Sequence, residues 1–139
     1  MNPLLSVIDR NSIETQLPPS FPYAVISIAT PGKNIAQFET SSHCTGVLYM
    51  EFHDLDDPRH KVPLFNREQA EAVWKFVDAL HVSTELLIVH CEAGISRSPA
   101  VAAAIAKARG ENDDYFFRRY LPNRHVYRTL LDVRNETKP

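Results

Sequence analysis

The segment 90–98, His-Cys-Glu-Ala-Gly-Ile-Ser-Arg-Ser, constrains this chain more than any other. Residues 86–90 (LLIVH) form a short apolar run that predicts a buried strand. Residues 99–109 are apolar on nearly every side, start with proline and stop at Gly110, which predicts a buried central helix. A strand, a tight loop and a helix N-terminus in succession present inward-turned N–H groups and a positive dipole end to an anion. The sequence therefore predicts a phosphate-binding loop formed by Glu92, Ala93, Gly94, Ile95, Ser96 and Arg97.

Four positions of this segment have a specific chemical task. Cys91 begins the loop, where the helix N-terminus and a nearby arginine favour the thiolate, so we expect a nucleophile. Arg97 follows six residues later, and its planar guanidinium can bind two oxygens of a phosphoryl group. Gly94 permits backbone angles that a side chain would obstruct. Ser98 can donate a hydrogen bond to the departing sulfur, and it is also predicted to be the N-cap of the helix.

The rest of the chain alternates strands with helices. Strands are predicted over residues 5–8, 23–29, 47–52 and 86–90, and helices over 67–80, 99–109, 113–120 and 124–133. Asn66 is the predicted N-cap of the helix at 67–80, and Asn123 is the predicted N-cap of the helix at 124–133. This order predicts an α/β fold with a mainly parallel central sheet of four to five strands flanked by helices. In such sheets the working site lies at the carboxyl ends of the strands.

Composition narrows the functional classes. With 139 residues and 44% hydrophobic content, the chain suffices for a single domain spanning residues 1–139. A net charge of −2 argues against nucleic-acid or membrane partners, and no run of 18 apolar residues occurs, so we expect a cytoplasmic monomer. Cys44 and Cys91 are too few for a disulfide framework. No cofactor is implied.

The segment 90–98 resembles the H-C-x-x-G-x-x-R-[ST] signature of the protein tyrosine phosphatase superfamily. The short chain, the late Pro122-Asn123 and the segments VISIATPG and FHDL are similar to the compact dual-specificity group, particularly its small prokaryotic members. The resemblance implies the fold of these phosphatases and hydrolysis of phosphomonoesters through a cysteinyl-phosphate. It implies a phosphoprotein or phosphopeptide substrate, phosphotyrosine first, with phosphoserine and phosphothreonine as further substrates. The loop contains the acidic Glu92 and no lysine, so phosphoinositides and RNA 5′-phosphates are less favoured as substrates than phosphoproteins.

A general acid is needed for the leaving oxygen, and three aspartates compete for this role. Family members commonly place the acid thirty-odd residues before the cysteine, and here Asp54 and Asp57 lie 37 and 34 residues before Cys91, with Asp56 between them. Spacing alone favours Asp57. However, Asp54 lies just beyond a predicted strand end, at the sheet edge where Cys91 emerges, and belongs to the FHDL segment. We therefore predict Asp54 as the acid, with Asp57 second.

Other interpretations of these residues remain open. The loop could bind phosphate without turnover, as a pseudophosphatase does, while a rhodanese-like sulfurtransferase or an arsenate reductase would also use a loop cysteine. His53, Asp54, Asp56, Asp57 and His60 have the chemistry of metal ligands, but a hydrated loop is the preferred interpretation and no metal site is predicted. Cys44 precedes a strand whereas Cys91 follows one, so we expect them at opposite sheet edges and without a disulfide.

Overall fold

The central sheet is built from four apolar segments. The structure, a computed structural model, describes residues 2–57, 59 and 61–137, with the backbone alone at 137. Within those residues the strands are β1 (Leu4–Ile8), β2 (Tyr23–Ala29), β3 (Cys44–Glu51) and β4 (Leu86–His90). Their order in the sheet is β1-β4-β2-β3, and every neighbouring pair is parallel. The predicted parallel α/β sheet of four to five strands is therefore confirmed, with four strands.

Five helices in the described residues connect or follow these strands. They are α1 (Arg10–Thr15), α2 (Arg67–Asp78), α3 (Arg97–Ala108), α4 (Asp114–Arg119) and α5 (Arg124–Thr137). Asn66 caps α2 in a reciprocal capping box with Gln69, and the Oδ1 of Asn123 accepts a hydrogen bond from the Val126 N–H at the start of α5. Both predicted caps are confirmed. Over the described part of the chain, no helix is long and apolar enough to span a bilayer.

The sheet buries both of its faces. Along β2, Ala24, Ile26 and Ile28 pack into the larger core, which includes residues of α2, α3, α4 and α5. The alternate residues Tyr23 and Val25 pack with Ile13 of α1 and with Ala36 of the loop that follows β2. Because α3 lies between the sheet and the outer helices, its residues 97–106 are all buried. Burial on every side explains why the sequence of this helix is apolar nearly all round.

Several element boundaries differ from the predicted ones. β3 begins at Cys44 instead of residue 47, since its first residue already pairs with Tyr23 of β2. α5 continues to residue 137, beyond the predicted end at 133, and α1 was not predicted at all. α3 begins at Arg97, two residues before the prediction, so its N-cap is Ser96. The expectation that Ser98 caps this helix is therefore wrong, because Ser98 already lies in the first turn, where Pro99 is also tolerated.

Parallel strands bring four chain segments to one edge of the sheet. β1, β2, β3 and β4 all run in the same direction, so the residues that follow them meet at their carboxyl ends. The first residues beyond these ends are Asp9, Thr30, Phe52 and Cys91. Each belongs to the candidate site or contacts it.

Candidate active site

The loop after β4 is held from outside through its carbonyl groups. The carbonyl of Glu92 accepts a hydrogen bond from the Arg10 N–H (3.1 Å), that of Ile95 from Leu121 (3.0 Å), and that of Ser96 from Asn123 (3.0 Å). Among the described residues, no oxygen accepts a hydrogen bond from the N–H groups of residues 92–97. A loop with its carbonyls engaged and its N–H groups available is suited to binding an anion.

Gly94 is required in this loop for two reasons. Its φ of +68° lies in the left-handed region, which disfavours residues with a Cβ atom. In addition, a Cβ atom at this position would lie 2.9 Å from the backbone nitrogen of Asp9 and 2.9 Å from the carbonyl carbon of Ile8. The loop therefore packs directly against the carboxyl end of β1, and only glycine permits this approach.

Cys91 lies at the start of the loop, directly after β4. It is a free cysteine, only 2% exposed, and its Sγ lies 3.2 Å from the Oγ of the fully buried Ser98. The structure thus brings the predicted nucleophile and the predicted sulfur-stabilising hydroxyl into contact. A hydroxyl at this distance can donate a hydrogen bond to a thiolate.

Arg97 is buried and held by two other strand ends. Its Nη1 donates to the carbonyl of Phe52 (2.8 Å) and to Oγ1 of Thr30 (3.0 Å), residues that follow β3 and β2. Its Nε, in contrast, is buried and has no hydrogen-bond partner in the described part of the protein. Leaving a buried charged donor without an acceptor is costly, so this group points to an anionic ligand as its partner.

The three candidate acids occupy different places. A pocket of about 420 Å³ is lined by Asp54 and Leu121 together with residues 91–93 and 95–97. Asp56 lines an adjoining pocket of about 350 Å³, which shares Asp54, Ser96 and Leu121 with the first. The carboxylate of Asp57 accepts hydrogen bonds from Arg59 and lines neither pocket. The structure therefore places Asp54, and not Asp56 or Asp57, in the pocket that contains Cys91.

His90 is buried beneath the loop. Its Nδ1 lies 3.4 Å from the Cys91 carbonyl and its Nε2 lies 2.6 Å from the Oγ of Ser27. A carbonyl can only accept, so a neutral imidazole carries its proton on Nδ1 and accepts a hydrogen bond from the Ser27 hydroxyl at Nε2. Burial lowers the pKa of His90 below its usual value, which favours this neutral form.

Arg10 is a site residue that the sequence did not reveal. Its Nη1 forms a salt bridge with Glu92 (3.0 Å) and donates to the carbonyl of Asn34, while its Nη2 donates to the carbonyl of Ile35. It thereby connects α1 and the loop after β2 to the predicted phosphate-binding loop. The available signal was Asp9, a typical N-cap residue, which indeed caps α1 by accepting from the Ser12 N–H.

The acidic loop after β3 has side chains with the chemistry of metal ligands. Among the described residues, no three His, Cys, Asp or Glu side chains come together in a way that could hold a metal ion. His60, one of the five residues in that hypothesis, lies outside the described residues. The carboxylate of Asp54 instead accepts hydrogen bonds from Ser96 and Asn123.

Comparison with known proteins places this fold among known architectures. No protein-family model and no curated protein matches the chain. Among solved structures, the human tyrosine phosphatase-like serine/threonine/tyrosine-interacting protein is similar with a TM-score of 0.62 and 19% identity, over 95% of this chain and 91% of that one. Human DUSP28 gives 0.54 and 17%, over 95% and 92% of the chains. This chain has a dual-specificity-phosphatase-like fold.

A third similar structure is that of PTPMT1 in complex with PI(5)P, with a TM-score of 0.50 and 16% identity over 83% of this chain and 78% of that one. Identities this low establish the fold alone. The dual-specificity-like fold that the resemblance implied is therefore confirmed, while the activity has to be argued from the residues of this chain.

Proposed function

We propose that the chain is a metal-independent phosphomonoester hydrolase that acts through a cysteinyl-phosphate on Cys91. The observation that carries this proposal is the buried Arg97 Nε without a partner, in the same pocket wall as the Cys91 thiol. A phosphoryl group supplies the anionic acceptor that this guanidinium and the free N–H groups of the loop can bind together. These donors are fixed before the substrate arrives, which is the arrangement that stabilises charge in a transition state.

In the first step the Cys91 thiolate attacks phosphorus and the bond from phosphorus to the leaving oxygen breaks. Arg97 and the N–H groups of residues 92–97 bind the equatorial oxygens, whose charge they stabilise. The proton of a protonated Asp54 passes to the leaving oxygen, so the product alcohol departs neutral. Asp54 is supported as the acid because it shares the pocket with Cys91.

In the second step water attacks the phosphorus of the cysteinyl-phosphate. Its proton passes to the Asp54 carboxylate, the sulfur–phosphorus bond breaks, and the electron pair returns to sulfur as thiolate. Ser98 supports this step, because its hydroxyl lies 3.2 Å from the sulfur and can donate to the charge that forms there. Phosphate is released and both residues return to their starting protonation states.

For the substrate we propose protein phosphotyrosine, with phosphoserine and phosphothreonine accepted less well. Ile95 (48% exposed) and Leu121 (77% exposed) line the pocket and offer apolar surface to an aromatic ring. Glu92 forms a salt bridge with Arg10, which partly compensates its charge. It therefore disfavours polyanionic substrates less than the sequence alone indicates. PTPMT1 was solved with PI(5)P, so an inositol phospholipid belongs in any substrate panel.

The second candidate function is phosphate binding without turnover. One of the similar structures is named a tyrosine phosphatase-like interacting protein, so the fold by itself does not decide between catalysis and binding. Cys91, Arg97 and Ser98 form the contacts described above, and Asp54 lies beside them, which favours catalysis.

Phosphate release from an aryl phosphate in EDTA tests the proposal. Wild type should turn over repeatedly, Cys91→Ser should abolish turnover, and Cys44→Ser is the matched control because it changes the other cysteine, at the opposite edge of the sheet. Wild-type protein that binds phosphate but releases none would favour the second function. To assign the acid, Asp54→Asn should slow esters with poor leaving groups far more than activated esters, whereas Asp57→Asn should not.

A further inference from the structure

Asn123 joins three segments of the candidate site. It is 5% exposed, its N–H donates to the Ser96 carbonyl in the phosphate-binding loop, and its Oδ1 accepts from Val126 in α5. Its Nδ2 donates to Oδ1 of Asp54 (2.9 Å) and to the carbonyl of Leu55 (3.2 Å). A single buried amide therefore connects the phosphate-binding loop, the segment that carries the acid and the start of the last helix.

The orientation of this amide is fixed by its neighbours. Both groups near Nδ2, the Asp54 carboxylate and the Leu55 carbonyl, are acceptors, and the group near Oδ1 is the Val126 N–H donor. In a flipped amide, the side-chain oxygen would face the two acceptors, and the NH₂ group would face the Val126 N–H donor. Asn123 consequently acts as a donor toward Asp54.

The hydrogen bonds to Asp54 decide which of its oxygens carries a proton. Ser96 Oγ (2.7 Å) and Asn123 Nδ2 both donate to Oδ1 of Asp54. A protonated Asp54 keeps both hydrogen bonds best when its own proton is on the other oxygen, Oδ2, because a carboxyl C=O oxygen accepts hydrogen bonds more strongly than an O–H oxygen. We propose that Asn123 is a positioning residue, which holds Asp54 by Oδ1 so that Oδ2 carries the proton for the leaving group. This inference rests on the proposed function, and the amide donor of Asn123 affects the reaction through Asp54.

The substitution Asn123→Asp separates this role from helix capping. The new carboxylate keeps an oxygen for the Val126 N–H, and aspartate is as good an N-cap as asparagine. It removes the donor toward Asp54 and places a like charge beside it. Asn66→Asp is the matched control, because Asn66 caps α2 in the same way and lines neither pocket that contains Asp54.

The experiment measures kcat/KM for a series of aryl phosphates and one alkyl phosphate in wild type, Asn123→Asp and Asn66→Asp. Asn123→Asp should lose at least tenfold with the poorest leaving groups and less than about threefold with the most activated ester, since a positioned acid contributes about 10²–10⁴-fold. Asn66→Asp should follow wild type across the series. In an Asp54→Asn background, Asn123→Asp should add no further dependence on the leaving group.

The outcomes separate the two proposals. Wild type without turnover refutes the proposed function itself. If wild type is active but Asn123→Asp lowers kcat/KM equally for every leaving group, the positioning role alone is refuted. The same holds if Asn123→Asp lowers kcat/KM additively in the Asp54→Asn background. If Asn123→Asp shows no cooperative unfolding transition, Asn123→Ser decides by the same criteria, because serine keeps a capping oxygen but lacks the amide donor.

Discussion

Replacement of Gly94 by alanine tests how tightly the phosphate-binding loop is packed on β1. The left-handed φ of +68° costs a residue with a Cβ about 1–2 kcal/mol. The contacts of 2.9 Å with Asp9 nitrogen and the Ile8 carbonyl carbon involve backbone that cannot rotate away, and forcing an extra methyl into packed surroundings costs about 1–3 kcal/mol. Together these terms predict a loss of about 2–5 kcal/mol, or roughly 6–20 °C in Tm for a domain of this size.

Gly110→Ala is the matched control for this experiment. Gly110 also has a positive φ (+76°), but a Cβ atom there would meet nothing within 4 Å, so it incurs only the backbone cost. Thermal unfolding of both variants should give a clearly larger loss for Gly94→Ala, and inorganic phosphate should raise its Tm less than it raises that of wild type. If the two variants lose the same stability, the close approach of Gly94 to β1 is not real and the reasoning fails.

Three further predictions concern single residues. Arg97→Lys should lower kcat/KM for an aryl phosphate by about 10²–10³-fold, because lysine cannot replace the bidentate fork, and a loss below tenfold would contradict its role. Burial lowers the pKa of His90, so the stability it contributes is present above pH 6.5 and is lost as the pH falls through its folded pKa. Urea unfolding between pH 7.5 and 5.5 should show this slope, at most about 1.4 kcal/mol per pH unit, and His90→Asn should flatten it. Mild peroxide should oxidise Cys91 singly or link it to an outside thiol. Cys44 aligns through Tyr23 with the amino end of β4, which lies roughly 16 Å from Cys91 along the strand. A disulfide between Cys91 and Cys44, detected by mass spectrometry, would contradict this placement.

The parts of the fold that follow from local pattern could be predicted. The predicted bounds of β2 and β4 agree with the observed ones, because a strand buried on both faces has a continuous apolar sequence. The sequence predicts α3 for the same reason, although the predicted start lies two residues after the observed one. The short helix α1 was missed, since six residues with one buried side chain, Ile13, give almost no periodic signal.

The choice among the acids shows where sequence reasoning reaches its limit. Counting residues back from Cys91 favours Asp57, whereas the predicted strand end before Asp54 favours Asp54. The contacts that hold Asp54 in the structure are made by Ser96 and Asn123, 42 and 69 residues away along the chain. The sequence predicts Asn123 as a helix cap but does not predict its hydrogen bond to Asp54. Such pairings are set by how the loops meet at the sheet edge, and no local periodicity encodes that meeting.

Arg97 links the stability of the fold to the proposed chemistry. Its Nη1 is held by Phe52 and Thr30, so the guanidinium is fixed by the ends of two strands before any phosphate binds. The same burial leaves Nε without a partner among the described residues, a cost that a purely structural arginine at this position would avoid. Under the proposed function, a phosphoryl group removes this cost and meets a donor that is already oriented, so little reorganisation remains for the transition state. The unpaired donor at Arg97 is therefore the feature of the fold on which the proposed affinity for a phosphoryl group rests.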